Sequence, residues 1–139
     1  MVHVHHSRFS VRSYEVDSYS HLNNGVFLSW YEQSRLDYLQ SLGYSYDSFA
    51  ERKEWIVVAR IEADFRLPAH LGDELVVDTW IEGFGRTSVR FHQRMIRGND
   101  ELVCEAKTLM VFSGEGGGSV PIPDDFRAAV GTVGTPQGV

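Results

Sequence analysis

Polar and apolar positions alternate at period two through most of this chain and switch once to a helical period. Ser7 to Val16 reads as a first strand, with Phe9, Val11, Ser13 and Glu15 on one face and Arg8, Ser10, Arg12, Tyr14 and Val16 on the other. Asn24 to about Leu42 reads as the one long helix. Ser29, Gln33, Asp37 and Gln40 form a narrow polar stripe on it, while Val26, Phe27, Leu28, Trp30, Tyr31, Leu36, Tyr38, Leu39 and Leu42 fill most of the remaining girth. So apolar a helix is expected to be buried, and Gly43 supplies its stop. Tyr46 to Glu51 can add one or two helical turns. Strand patterns then run over Trp55 to Leu67, Glu74 to Glu82, Arg86 to Arg97 and Glu101 to Ser113, with turns at Gly83-Phe84-Gly85 and Gly98-Asn99-Asp100.

Long consecutive strands imply an antiparallel meander, and one buried helix implies that the sheet curls around it. The expected fold class is α+β: a curled antiparallel sheet of about five strands around one long central helix. A short helix over Pro123 to Val130 would close a single domain, residues 1–130, and Gly131 to Val139 would be a flexible tail. A chain of 139 residues suits one core and is too short for two.

Charge and composition narrow the chemistry. A net charge of −6 leaves no basic surplus for general nucleic-acid binding. No apolar run reaches membrane-spanning length, and MVHVHHSRF lacks the apolar core of a signal peptide, so the expected address is the cytoplasm and no membrane partner is expected. The single cysteine, Cys104, cannot form an intrachain disulfide and reads as a small buried hydrophobe in mid-strand. His3, His5 and His6 have no carboxylate or cysteine pattern beside them, so no metal site is expected. The absence of a Gly-x-Ser-x-Gly elbow argues against an α/β serine hydrolase.

Residues 9–35, FSVRSYEVDSYSHLNNGVFLSWYEQSR, carry the candidate chemistry. An acid, Asp17, follows the first strand; a polar turn with His21, Asn23 and Asn24 comes next; then the helix begins. That order sets a carboxylate beside the free N–H groups of a helix N-terminus, which can hold a developing negative charge. By composition alone Asp17 is a turn or cap residue, and Asn23 and Asn24 are favoured caps. Glu32 and Arg35 lie at i, i+3, a spacing that suits a structural ion pair.

The segment resembles the signature D-x-x-x-H-x-N-N-x-x-Y of hotdog-fold acyl-CoA thioesterases, in the 4-hydroxybenzoyl-CoA thioesterase group. Asp17, His21, Asn23 and Asn24 match, and Phe27 replaces the tyrosine. IEADFRLPAHLGDELVVDTWIEGFGRTSVRFHQRMIR, with its aromatic-Arg-x-Pro corner and Gly-Arg-x-Ser hairpin, is similar to the family again. The resemblance implies hydrolysis of an acyl-CoA or aroyl-CoA thioester. Asp17 would be nucleophile or general base, the Asn24 N–H would polarise the carbonyl, and His21, the third catalytic candidate, would act as a base or, the favoured role, orient Asp17 or hold the turn. Asn23, Phe27, Tyr31, Arg86, Thr87, Ser88 and Arg90 would bind substrate, with the Arg86–Arg90 region on the coenzyme A phosphates; Arg94 and Lys107 are further basic candidates, not all on one face of a chain. Glu32 is a reserve acid. No cofactor is implied, coenzyme A being part of the substrate. The expected assembly is a homodimer or homotetramer with a site shared between copies. A binding protein for acyl-CoA or acyl carrier protein is the rival reading; a dehydratase would need a histidine motif that is missing.

Overall fold

The computed structural model describes residues 1–98 and 100–139. Five antiparallel strands form one sheet: β1 (His5–Ser10), β2 (Glu54–Phe65), β3 (Glu74–Phe84), β4 (Ser88–Arg97) and β5 (Glu101–Gly114), in the order β1-β3-β4-β5-β2. Helix α1 (Asn24–Ser41) packs on one face, and α2 (Tyr46–Arg52) and α3 (Asp124–Val130) are short additions. This is the α+β hotdog architecture expected from the sequence. The turn expected at residues 98–100 includes Asn99, which lies outside the described residues.

The meander is confined to β3-β4-β5. After β1, the chain crosses the sheet through α1 and returns as β2 on the far edge, beside β5. Register shifts at Val58/Arg60, Ile81/Gly83 and Met95/Ile96 are bulges that bend the strands. The hairpin after β3 turns two residues later than expected, at residues 85–87, because Gly83 and Phe84 belong to β3 and β4 starts at Ser88.

The first strand also stops early, at Ser10. Past it, the Glu15 carboxylate takes the Arg12 N–H and guanidinium at 2.8–2.9 Å, which closes a 3₁₀ turn over Ser13–Glu15. Alternation continues through this turn in sequence but has no ladder behind it. Within residues 131–139, Gly134 N–H donates to Ile81 O at 3.3 Å and Pro136 is buried, while most of the segment is exposed.

Helix α1 begins because Asn23 caps it, its Oδ1 accepting the Gly25 N–H at 2.8 Å. It ends where the Leu42 N–H turns back to Leu39 O at 3.0 Å and Gly43, at φ 90°, donates to Gln40 O at 2.9 Å. One face is buried. Phe27, Trp30 and Tyr31 join Leu75, Val77, Met95 and Val103 in one apolar cluster; Tyr38 and Leu39 join Ile81, Phe91, Phe112 and Phe126 in a second. Ser34, Arg35, Thr79, Gln93 and Thr108 are the buried polar residues of the helix–sheet layer. The opposite side of the helix is not buried as its composition predicted: Leu28, Glu32 and Leu36 are exposed.

Candidate active site

Asp17 leaves the 3₁₀ turn and starts a tight loop. Its N–H donates to His21 O at 2.7 Å, Ser20 donates back to Asp17 O at 3.0 Å, and Ser20 takes a left-handed φ of 64°. Oδ1 of Asp17 accepts the N–H groups of Tyr19 (2.9 Å) and His21 (3.1 Å). Among the described residues, Oδ2 has no partner. The turn-residue reading of Asp17 is therefore compatible with a functional one: one oxygen fixes the loop and orients the carboxylate, and the other stays unengaged.

The loop is anchored from both sides. Leu22 N–H donates to Ala69 O at 2.7 Å, and Asn23 N–H to Glu15 O at 2.8 Å. Glu15, 5% exposed, also accepts from the Trp30 indole at 3.3 Å, so one carboxylate ties the 3₁₀ turn, the cap and α1 together. The Arg12 guanidinium holds the Glu15 carboxyl below its ordinary pKa. With Asn23 capping Gly25, the Asn24 N–H is the first of the helix and takes no acceptor among the described residues.

Asp17, His21, Asn24 and Phe27 line one cleft of about 270 Å³, closed on the far side by Phe65, Arg66, Leu67 and Pro68 at the end of β2. Phe27 meets Phe65 edge to face at 5.3 Å. His21 holds Asp17 through its backbone; its ring lies edge-on to His70 at 5.1 Å. Asn23 is an exposed cap outside the cleft lining. Tyr31 is not a wall of this cleft either: it is 1% exposed in the core, where burial pushes its phenol pKa up. Among the described residues, no three His, Cys, Asp or Glu side chains are placed to hold a metal.

Arg86, Thr87, Ser88 and Arg90 stand elsewhere. Glu74, at the start of β3, pairs with Ser10 beside the Asp17 loop, whereas Phe84 at its other end pairs with Val89. Eleven residues of strand, roughly 30 Å, separate the cleft from the β3–β4 hairpin of the same chain. Arg90 shares the sheet face away from α1 with Arg94 and Lys107, so three of the four basic candidates do lie together; only Arg86 stands apart, at the hairpin. The expected Glu32–Arg35 ion pair is absent. Arg35 runs beneath the helix to Gln93 and Thr108, while Glu32 faces outward, because i, i+3 here straddles the buried edge of α1.

Sequence reasoning missed Glu15, Arg66 and His70. The aromatic-Arg-x-Pro corner hinted at Arg66, but nothing in the sequence pairs residues 65–68 with the start of α1. Glu15 looked like one more alternating position.

The family model described as the thioesterase-like superfamily matches residues 11–130. An acyl-acyl carrier protein thioesterase of Arabidopsis thaliana, ATL3, is 28% identical over 92% of this chain and 68% of its own length. The acyl-CoA thioester hydrolase YbgC of Escherichia coli is 27% identical over 75% of this chain and 79% of its own. A Thermus thermophilus thioesterase solved with coenzyme A and zinc is 35% identical, with TM-score 0.78 over 90% of each chain.

Proposed function

We propose that this chain, which belongs to the thioesterase-like superfamily, hydrolyses acyl- or aroyl-CoA thioesters at the Asp17 cleft. That it is a thioester hydrolase follows from its relatives; the carrier, the acyl group and the catalytic residues are our reading. The supporting observation is that the unpartnered Asp17 carboxylate oxygen and the open Asn24 N–H belong to residues lining one cleft. The thioester oxygen would accept from the Asn24 N–H at the positive end of α1, where one such donor is worth roughly 10²–10³ in rate. Asp17 then either attacks the carbonyl carbon, expelling the thiolate and leaving a mixed anhydride for water to open, or takes a proton from the water that attacks. Both routes give a carboxylic acid and the free thiol. A leaving thiol of pKa about 8.5 departs without a strong general acid, so one carboxylate and one oxyanion donor suffice. Phe27 and Phe65 offer the apolar walls for an acyl or aryl group, in keeping with the 4-hydroxybenzoyl-CoA thioesterase resemblance.

The phosphate contacts need a second copy. β2 is an edge strand whose free side can pair with the same strand of another chain. Antiparallel pairing would bring the Arg86–Arg90 end of the partner's sheet toward the Asp17 cleft of this one, and a homodimer or a tetramer of such dimers would share each site. No described helix is long and apolar enough to cross a membrane; cytoplasmic residence remains part of the proposal. The test is thiol release from a panel of benzoyl-, naphthoyl-, medium- and long-chain acyl-CoA esters, run beside the same acyl groups on a carrier protein. Release above the uncatalysed rate supports the reading, carrier preference assigns the donor, and no release from any ester refutes it.

A further inference from the structure

Arg35 is a buried cation without an ion-pair partner: Glu32 of its own helix acts on it through space but makes no bridge to it. It is 4% exposed, its Nη1 donates to the neutral groups Gln93 Oε1 (3.1 Å) and Thr108 Oγ1 (3.4 Å), and its buried Nε has no partner. Among the described residues no carboxylate lies within ion-pair distance of it. Buried charges in stable proteins are paired, because the desolvation cost of a lone ion is several kcal/mol even after relaxation. Glu32 of the same helix is exposed while Arg35 is buried, so a direct ion-pair partner is left to whatever covers the groove.

What covers it is indicated by the surroundings. Arg35 lines a groove of about 280 Å³ between α1 and β2, together with Glu32, Leu36, Ile56, Val58 and Met110. Leu36 is 51% exposed, and Val57, Val58, Ile61 and Phe65 of β2 are 39–47% exposed, so the apolar flank of the helix continues into the apolar edge of the sheet. That edge carries unpaired backbone groups along 12 residues. A small anionic ligand would meet Glu32 in the same groove. A second copy of the chain meets every requirement at once, pairing the edge, burying the stripe and supplying an acid. The height is right as well. Glu32 shares the groove with Val58, and Arg35 bonds Thr108, whose partner on β2 is Ile61. Both levels flank the midpoint of β2, where the two-fold axis of a self-pairing strand must pass.

We propose that, where two copies meet along β2, Glu32 of each supplies the counter-charge to the partner's Arg35, forming two equivalent bridges across the axis. This rests on the two-copy site described above and names the residues that close it. Neither residue touches substrate; both act by holding the copies together.

Charge exchange tests it. Glu32→Arg and Arg35→Glu each place like charges across the axis twice, and each is expected to weaken the dimer at least a hundredfold by sedimentation. Mixed one to one, the two variants present opposite charges at both positions, so a heterodimer within about tenfold of wild-type affinity is expected. A pair formed inside one chain would leave the mixture dissociated, and that result overturns the proposal. Should Arg35→Glu fail to fold, Glu32→Gln and Arg35→Met decide. Each is expected to weaken association tenfold or more with an unchanged far-UV spectrum, and wild-type association of both overturns it, as does a monomeric wild type. A wild-type dimer that hydrolyses acyl-CoA while these variants associate normally refutes the bridge alone. A dimer with rescued mixtures but no hydrolysis refutes only the catalytic reading.

Discussion

Asp17→Asn separates the two tasks given to one side chain. An asparagine keeps a carbonyl oxygen where Oδ1 accepts the Tyr19 and His21 N–H groups, so both turn-holding hydrogen bonds, at 2.9 and 3.1 Å, survive. Only the second oxygen changes, from a free carboxylate oxygen to an amide nitrogen. The loop should keep its shape and the melting temperature should stay within a degree or two. Turnover should fall by roughly 10²–10⁴, the usual worth of a positioned base, or about 3–5 kcal/mol in the barrier. Asp17→Ala removes the turn bonds too, at about 1 kcal/mol each, and should lower the melting temperature by several degrees while losing the same activity. Thiol release and thermal unfolding on the same preparations measure both. A loss below tenfold in the asparagine variant, with the melt unchanged, would refute Asp17 as the reacting group. Equal melting temperatures for the alanine and asparagine variants would refute the turn-holding role.

Arg86→Ala and Arg90→Ala should each raise KM for acyl-CoA severalfold with little change in kcat, since remote phosphates are bound alike in ground and transition states; unchanged KM in both at low salt would move the phosphate site. Glu15→Gln should destabilise the domain and disturb the Asp17 loop. Because the folded pKa of Glu15 is depressed by Arg12, its contribution is present above the ordinary carboxylate pKa of about 4.3 and fades as pH falls through the depressed value. The stability gap between wild type and Glu15→Gln should accordingly narrow only in acid, and a gap independent of pH would exclude the ion pair as its source. Cys104 is fully buried and burial raises its thiol pKa. A thiol reagent should label it only on unfolding, and stoichiometric labelling of the native protein would contradict the packing.

Periodicity and local chemistry were enough for much of this protein. The helix bounds follow from an asparagine cap and a stop glycine, and the positions of four of the five strands follow from alternation between turn residues. Asp17, His21 and Asn24 line one cleft because they are close in sequence, and a turn between a strand and a helix brings such neighbours together whatever else the chain does. Contacts between distant segments were not legible. Period-two alternation states that β2 is a strand but not that its neighbour is β5, so the Phe65–Pro68 wall of the cleft appears only once the sheet is assembled. A helix apolar on paper does not reveal which flank the sheet covers, and here the flank carrying Leu28, Glu32 and Leu36 stays open. Glu15 and Arg35 show the same limit from inside the core. Both are charged residues whose burial depends on long-range partners, Trp30 for one, Gln93 and Thr108 for the other. Local sequence encodes each residue's periodicity and nearest neighbours; which far segment satisfies a buried polar group is decided only by the packing of the whole chain, because that packing sets its desolvation and its partners together.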